Sequence, residues 1–469
     1  MLSLVGTDVT GIALPWLIKE GIDAAVQKKL AGVSLIYFPL LILLAAILQG
    51  FFRYSWRINI NGFSRKAEAD LREKVFRHLQ KLPLGYFQHN KTGDLMSRLT
   101  IDVQAVRELL GFGSLASIDA IITIIFSLAC MIYIDPWLTF WSLLAMPMIT
   151  VTVRTFGRHI FRWSHSVQEQ LSDISAYVQE NLAGMRVVQV YAQEDNQIRG
   201  FQKISAECMR KNMWLAILWG IFWPLMRVVS GIAATIVLWL GGRQVLQGTM
   251  SLGEFVAFNG YLGMLTWPLM AIGYVVNQYQ RGTAALSRIG EVLDAEPSPR
   301  YDAPAFADQR TNELAPELRN LTFTYGDNGP ALKNITLAIP AGSICAIVGE
   351  TGSGKSTLAN LLLRLYEPPS DTIFINGVDI AKMPPRVLTD SIGYVSQDIF
   401  LFSGSIRENI LFGTNLVDEA AIEEASSTAQ LLPAVQDFPG KFETIIGERG
   451  VRLSGGQKQR TALARAIIK

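Results

Sequence analysis

The stretch Gly349–Thr357 reads GETGSGKST and has the residue types of a loop that holds phosphate. Four residues separate Gly349 from Gly354, Lys355 and Ser356, which is the spacing of a P-loop. The glycines let backbone N–H groups close around phosphate oxygens at a helix start whose dipole favours anions. Lys355 would supply positive charge to the β- and γ-phosphates, and Ser356 a hydroxyl to Mg²⁺. The predicted phosphate site comprises Gly349, Glu350, Thr351, Gly352, Ser353, Gly354, Lys355, Ser356 and Thr357.

This motif requires a strand before it and a helix after it. The apolar run Ile344–Val348 predicts a buried strand. Leu358, Leu361, Leu362 and Leu365 follow at the spacing of one helix face. A P-loop in this setting is typical of ATPases, GTPases and small-molecule kinases, and does not choose among them.

A second glycine-rich helix start, SGGQ, occupies Ser454–Gln457. Ser454 followed three residues later by Gln457 predicts a capping box. A cap needs no glycines, and each one in a first helical turn costs about 1 kcal/mol against alanine. A backbone that approaches a ligand closely does need them. The four residues Ser454, Gly455, Gly456 and Gln457 therefore form a second candidate phosphate-facing site.

Short strands separated by turns dominate the last third of the chain. They are LRNLTFTY, LKNITLAI, SICAIVG, TIFI-NG-VDI and SIGYVS. Asn376–Gly377 between two apolar runs is a strong hairpin signal. Strands alternating with helical stretches predict a cytoplasmic α/β domain over residues 317–469, joined through a proline-rich linker at 294–316 to residues 1–293.

Long uncharged runs dominate residues 1–293. Half of all residues are hydrophobic, 17% are charged, and the mean hydropathy is +0.26. Ala31–Phe52 and Phe255–Gln280 carry no charge, and either run is long enough as a helix to cross a hydrocarbon core of about 30 Å. Three further apolar runs are Leu115–Ile134, Pro136–Val153 and Met213–Gly242. Together with the two runs above and the start of the chain, which holds Asp8, they make six predicted spans.

Basic residues set the predicted orientation. Residues 53–108 hold 11 Lys or Arg and residues 154–211 hold 8, whereas the loops on the other side hold 3, none and 1. The long basic loops and everything after residue 280 are therefore expected in the cytoplasm.

The two basic loops carry helical apolar stripes, so each is predicted to be a helical hairpin. Their tips, near Asp94–Asp102 and Arg186–Glu194, are candidates for contact with the cytoplasmic domain. Arg227 lies inside a predicted span, about 22 Å from Gly242 at 1.5 Å per residue. Either a water-filled, substrate-facing position or a structural cation that snorkels would explain it.

Other site classes are disfavoured. Three cysteines, far apart and odd in number, predict no disulfide framework. The four histidines lie in charged helical segments and indicate solvated surface positions. No basic stripe interleaved with aromatic residues indicates a nucleic-acid partner.

The segment LSGGQ (Leu453–Gln457), with the P-loop about a hundred residues earlier and YVSQDIFLF between them, resembles the ATP-binding cassette. Six spans with long cytoplasmic hairpins ahead of it resemble an exporter-type ABC half-transporter of the multidrug or lipid group. The implied fold is a membrane all-α six-helix exporter domain, with its first helix incomplete, fused to a cytoplasmic α/β P-loop ATPase domain that is incomplete at its C-terminal end.

The resemblance implies further roles. Tyr325 would stack on adenine. From the residues alone, a tyrosine at a strand end fits a packing role as well as it fits contact with a ligand. Gln397 would sense Mg²⁺ and the attacking water as the catalytic glutamine, so Ser356 and Gln397 are the Mg²⁺ candidates. Glu448 would face the hairpins, whose tips match the coupling helices of the family.

The family continues with a strand ending in an Asp and a catalytic Glu, then a loop to the partner and a switch histidine. The sequence has no histidine after His165, so we expect a fragment cut at both ends that binds nucleotide weakly.

In the family, the signature of one cassette caps ATP held in the P-loop of another. One chain offers one of each, which implies a homodimer or heterodimer with two ATP and Mg²⁺. The expected function is ATP-driven export of a hydrophobic or amphipathic small molecule, drug or lipid, across the bacterial inner membrane. The alternative is an ATP-gated or regulatory membrane protein that does not hydrolyse ATP productively. An importer is disfavoured, and the spans exclude a soluble kinase.

Overall fold

The computed structural model describes residues 2–26, 36–144, 146–298, 314–326, 329–383, 385–414, 418–447 and 453–469. These residues form two compact units. The first comprises residues 1–75 and 96–291, and the second comprises residues 76–95 and 292–469. The linker predicted at 294–316 falls largely outside the described residues.

Helices make up nearly all of the described chain before residue 294. In chain order they are α1 (Leu2–Val26), α2 (Tyr37–Leu79), α3 (Leu84–His89), α4 (Thr92–Ser97), α5 (Val103–Glu108), α6 (Ser114–Ile134), α7 (Pro136–Leu144), α8 (Met146–Ala183), α9 (Met185–Val190), α10 (Glu194–Leu246) and α11 (Leu252–Leu293). Two π-helical turns, Arg98–Asp102 and Leu109–Gly113, join α4, α5 and α6 into one continuous helix.

Four helices in the described ranges are long and apolar enough to cross a membrane. They are Tyr37–Leu79, Thr92–Ile134, Glu194–Leu246 and Leu252–Leu293. The other two predicted spans fall on α1 and on α7 with the start of α8. Around Phe258 and Tyr261 of α11, buried side chains from several of these helices form the core of the first unit.

The helical hairpins predicted in both basic loops are present. In the first, α2 continues to Leu79, where Val75 and Leu79 of the predicted stripe are buried. In the second, α8 ends at Ala183, just before Gly184, and α10 begins at Glu194.

The predicted tip of the first hairpin, Asp94–Asp102, is misplaced. The chain turns earlier, through α3, because Pro83 has an extended backbone and starts a separate short helix there. Asp94–Asp102 belongs to the returning helix instead. Asp102 is buried, and its carboxylate accepts hydrogen bonds from Arg288 Nε at 2.9 Å and Nη2 at 2.5 Å.

The second unit contains a four-stranded antiparallel sheet in the order β2–β1–β3–β4. Its strands are β1 (Pro316–Thr324), β2 (Pro330–Ala338), β3 (Ile373–Ile375) and β4 (Val378–Asp379). The predicted hairpin at Asn376–Gly377 joins β3 to β4, and both turn residues have positive φ, +50° and +81°. This pattern suits a two-residue hairpin of type I′.

Two of the predicted strands are wrong. Residues 343–349 and 391–396 form no strand, and Ile344 and Val348 are almost fully exposed instead of buried. A strand is defined by its hydrogen-bonded neighbour. In the described parts of the chain no backbone pairs with residues 344–348, so apolar sequence alone does not make a strand there.

Two apolar cores support the second unit. One lies under the sheet, where Leu318, Leu321 and Ile373 pack against Leu358 and Leu361 of α12 (Lys355–Leu362). The other holds together the helical layer of residues 401–468. The helices of the unit after α12 are α13 (Pro385–Ser391), α14 (Ile406–Leu411), α15 (Glu419–Thr428), α16 (Leu432–Gln436) and α17 (Gly455–Ile467).

Candidate functional site

The loop before α12 has the backbone that a phosphate site needs. Gly352 and Gly354 have φ of +87° and +91°, a region that other residues rarely adopt. A Cβ at Gly354 would lie 2.8 Å from the backbone oxygen of Ala331 and 2.7 Å from Leu332 Cδ2. Strand β2 therefore presses against the loop, and only glycine fits between them and the start of α12.

Lys355, the first residue of α12, turns its ammonium group back over this loop. Its Nζ donates hydrogen bonds to the backbone oxygens of Gly349 at 2.8 Å and Glu350 at 2.7 Å. Both acceptors are neutral, so neither cancels the positive charge. Phosphate oxygens offer stronger, charge-assisted hydrogen bonds to the same ammonium.

Ser356 and Thr357 complete the first turn of α12. Ser356 is exposed, whereas Thr357 is buried. The exposed hydroxyl of Ser356 is a hard oxygen ligand of the kind that Mg²⁺ accepts. The donor chemistry of Ser356, together with the amide oxygen of Gln397, fits the predicted metal.

Tyr325, the predicted adenine contact, lies in an aromatic cluster just after β1. Its ring meets Phe323 and Tyr366 edge-on, with centroids 5.0 and 4.9 Å apart. Burial first, and then the nearby Tyr325 hydroxyl, raise the pKa of Tyr366 above the usual tyrosine range, while the nearby Gln88 side chain of α3 opposes them. The cluster holds Tyr325 half-buried.

Gln397 lies in a segment, residues 392–402, that has no regular secondary structure. Its side chain is exposed. The residues on either side of Gln397 are hydrogen-bonded to each other, because the Ser396 hydroxyl donates to the backbone oxygen of Asp398 at 2.6 Å. An exposed amide on an irregular segment is free to reach a ligand.

The capping box predicted at the start of α17 is present. Ser454 Oγ accepts from the backbone N–H of Gln457 at 3.3 Å, and Gln457 Oε1 accepts from the backbone N–H of Ser454 at 2.8 Å. Apart from the chain neighbours and the backbone of α17 itself, no atom of the described residues lies within 4 Å of a Cβ built at Gly455 or Gly456. Packing inside this chain therefore does not require either glycine.

The structure thus brings the nine P-loop residues into one loop and helix start. A Cβ built at Gly455 or Gly456 of the SGGQ helix start would meet no described residue beyond α17 and its immediate neighbours. Glu448 lies outside the described residues. Sequence reasoning missed Arg465 of α17 and Asn409 of α14, which are hydrogen-bonded to each other. They lie 56 residues apart, and no local pattern connects them.

Family models match both parts of the chain. Residues 1–269 match the ABC transporter transmembrane region, and residues 332–469 match the ABC transporter model. This chain belongs to the ABC transporter family. The transporter is therefore an ABC ATPase joined to a membrane domain, as its sequence motifs predict.

Curated relatives align over nearly the whole transporter. The probable multidrug resistance ABC transporter ATP-binding/permease protein YheI of Bacillus subtilis is 32% identical over 99% of this chain and 80% of its own length. The ATP-dependent lipid A-core flippase of Syntrophus aciditrophicus is 30% identical over 97% of this chain and 76% of its own.

A solved structure shares the fold. A bacterial Atm1-family ABC exporter with ATP bound superposes with a TM-score of 0.76 at 24% identity, covering 100% of this chain and 83% of the other. The predicted fold, an exporter membrane domain fused to an ATPase domain, is confirmed.

Proposed function

We propose that this ABC transporter uses ATP to export a hydrophobic or amphipathic small molecule, drug or lipid, and that it works as a dimer of half-transporters. The observation that carries the proposal is the SGGQ helix start. It is capped, yet a Cβ at either of its glycines would meet no described atom beyond α17 and its immediate neighbours. A second copy, or a similar half-transporter, supplies what they face.

The P-loop of one chain would bind the triphosphate of ATP. Lys355 would exchange the carbonyls of Gly349 and Glu350 for phosphate oxygens, while Tyr325 would stack on adenine. Ser356 and Gln397 would hold Mg²⁺, which when bound neutralises charge on the β- and γ-phosphates. The backbone N–H groups at Gly455 and Gly456 of the partner would close over the γ-phosphate.

Closing of the two cassettes would be coupled to the membrane domain because ATP binds the closed pair better than the open one. A ligand shifts a two-state equilibrium only through such differential affinity. Hydrolysis removes the preference, and the pair reopens. The same scheme operates with an identical or a different partner chain.

The substrate class follows from the membrane domain and the relatives. Trp214, Trp219 and Trp239 are exposed on α10 in a single chain. Such surfaces suit large apolar ligands and lipid alike. Relatives named for multidrug resistance and for lipid A-core flipping support an amphipathic substrate, and their bacterial origin supports the inner membrane.

The proposal is tested in proteoliposomes that contain the purified protein. ATPase activity and uptake of cationic dyes and fluorescent lipids are measured together, with Lys355→Ala as the inactive control. Transport requires that a compound both stimulates the ATPase and moves. Nucleotide binding that changes ion conductance without substrate movement would instead support the ATP-gated alternative, and full activity of Lys355→Ala would overturn the nucleotide site itself.

A further inference from the structure

Helix α17 is attached to both ends of the irregular segment 392–402 that carries Gln397. At the first end, Lys469, which lies two residues after α17, donates from Nζ to the backbone oxygen of Ile392 at 3.0 Å. A Cβ at Gly393 would lie 2.6 Å from the backbone oxygen of Ala466, so the segment touches the end of α17 directly. At the second end, Arg465 Nη1 donates to the backbone oxygen of Phe400 at 3.0 Å.

Asn409 of α14 completes the attachment. Its Oδ1 accepts from the backbone N–H of Phe402 at 2.8 Å and from Arg465 Nη2 at 2.9 Å. Its Nδ2 donates to the backbone oxygens of Phe402 at 2.9 Å and Ser405 at 3.0 Å. All four hydrogen-bonding positions of this buried amide are therefore used.

Within the described part of the chain, Arg465 is held by hydrogen bonds and not by an ion pair. Its Nε donates to the backbone oxygen of Asn409 at 2.7 Å, and its guanidinium lies 5.6 Å from the centroid of the Phe412 ring. These acceptors are neutral oxygens. Burial accordingly lowers the pKa of Arg465 below its usual range. The planar guanidinium donates hydrogen bonds to three separate oxygens, and the ammonium group of a lysine could not reproduce this arrangement.

We infer that Arg465 and Asn409 are positioning residues that fix the Gln397 segment to the SGGQ helix. Because α17 begins at Gly455 and grips residues 392–402 near its other end, Gln397 of one nucleotide site and the signature of the other move together. The inference rests on the proposed function, in which Gln397 contacts Mg²⁺ and SGGQ caps a second ATP.

The test is a double-mutant cycle on metal binding, which requires no turnover. Mn²⁺ replaces Mg²⁺, and its dissociation constant from the ATP-loaded transporter is measured by electron paramagnetic resonance for Gln397→Ala, Arg465→Met and the double variant. We expect each single change to weaken Mn²⁺ binding, and the double variant to bind as Gln397→Ala does, within about twofold, since interacting residues are non-additive.

Three further variants test whether a change in Mn²⁺ binding comes from the loss of this attachment. Arg465→Lys should weaken Mn²⁺ binding partly, and Asn409→Ala should resemble Arg465→Met. Arg319→Met removes an exposed arginine of β1 that pairs with Glu317, and should leave Mn²⁺ binding unchanged. Metal-free ATP affinity and the thermal unfolding midpoint are recorded for every variant, so a folding defect is recognised directly.

Multiplicative effects of Gln397→Ala and Arg465→Met would show that Arg465 acts independently of Gln397, and would overturn the inference. Unchanged Mn²⁺ binding in a folded Arg465→Met protein would overturn it as well. Neither result bears on the proposed function. That fails separately, if Lys355→Ala still binds ATP and hydrolyses it at the rate of the unmodified protein.

Discussion

At the scale of single residues, the nucleotide site depends on positions where one side chain type alone fits. Lys355 is held by neutral carbonyls that phosphate can replace, and Gly354 is the clearest steric case. Tyr325 is different, because its surroundings would accept other aromatic rings. These differences predict opposite tolerances to substitution.

Gly354→Ala should destabilise the second unit by about 1–3 kcal/mol, because it combines a positive φ with a Cβ that meets strand β2. Gly342→Ala is the matched control, since Gly342 has a φ of +70° but no atom within 4 Å of the added Cβ. Thermal unfolding should show a smaller loss for the control. Equal losses at both positions would mean that backbone strain alone, without the contact to Ala331, explains the requirement.

Tyr325→Ala should reduce the binding free energy of ATP by about 1–3 kcal/mol, the usual range for stacking of a base on an aromatic side chain. Tyr325→Phe should bind ATP almost as well as the unmodified protein, because the ring and its edge contacts with Phe323 and Tyr366 remain. Isothermal titration calorimetry with ATP measures the affinity of both variants. An unchanged affinity for the alanine variant would leave Tyr325 with a packing role only.

At the scale of elements, local patterns predicted local structure well. The Asn376–Gly377 turn and the Ser454–Gln457 capping box each depend on residues within three positions of one another, and both are present. The apolar stripe of the first basic loop depends only on a helical repeat, and α2 extends through that loop to Leu79 as a helix.

Features that depend on distant partners were not predictable in this way. The strands expected at 343–349 and 391–396 need neighbours that their own sequence does not specify. The tip of the first hairpin was placed ten residues too late, because the apolar repeat marks the returning helix and not the turn before it. The Arg465–Asn409 contact joins α17 to α14 without any local signal.

The SGGQ helix allows stability and function to be separated. Gly455→Ala should leave folding unchanged or stabilise it by up to about 1 kcal/mol, because alanine is the better helix former and meets open space. The same change should lower ATPase activity, since a methyl group would stand where the partner's phosphate is expected. Thermal unfolding and ATPase rates measured on one preparation test this contrast, and unchanged activity would contradict it.

At the scale of the whole molecule, we propose that each ATP lies between two chains. The P-loop and the SGGQ helix start of one chain then belong to different nucleotide sites. A substitution in either element of one chain therefore disables only one of the two composite sites. Pairs of chains with different substitutions therefore distinguish sites shared between chains from sites contained within one.

The most direct measurement compares two mixed assemblies, each purified through a different tag on each chain. In the first, one chain carries Lys355→Ala and the other Gly455→Asp. In the second, one chain carries both substitutions and the other none. Retention of radiolabelled ATP is measured for each. Shared sites predict that the first assembly retains ATP at one intact site and the second retains almost none. ATP retained by the second assembly and not by the first would contradict the account.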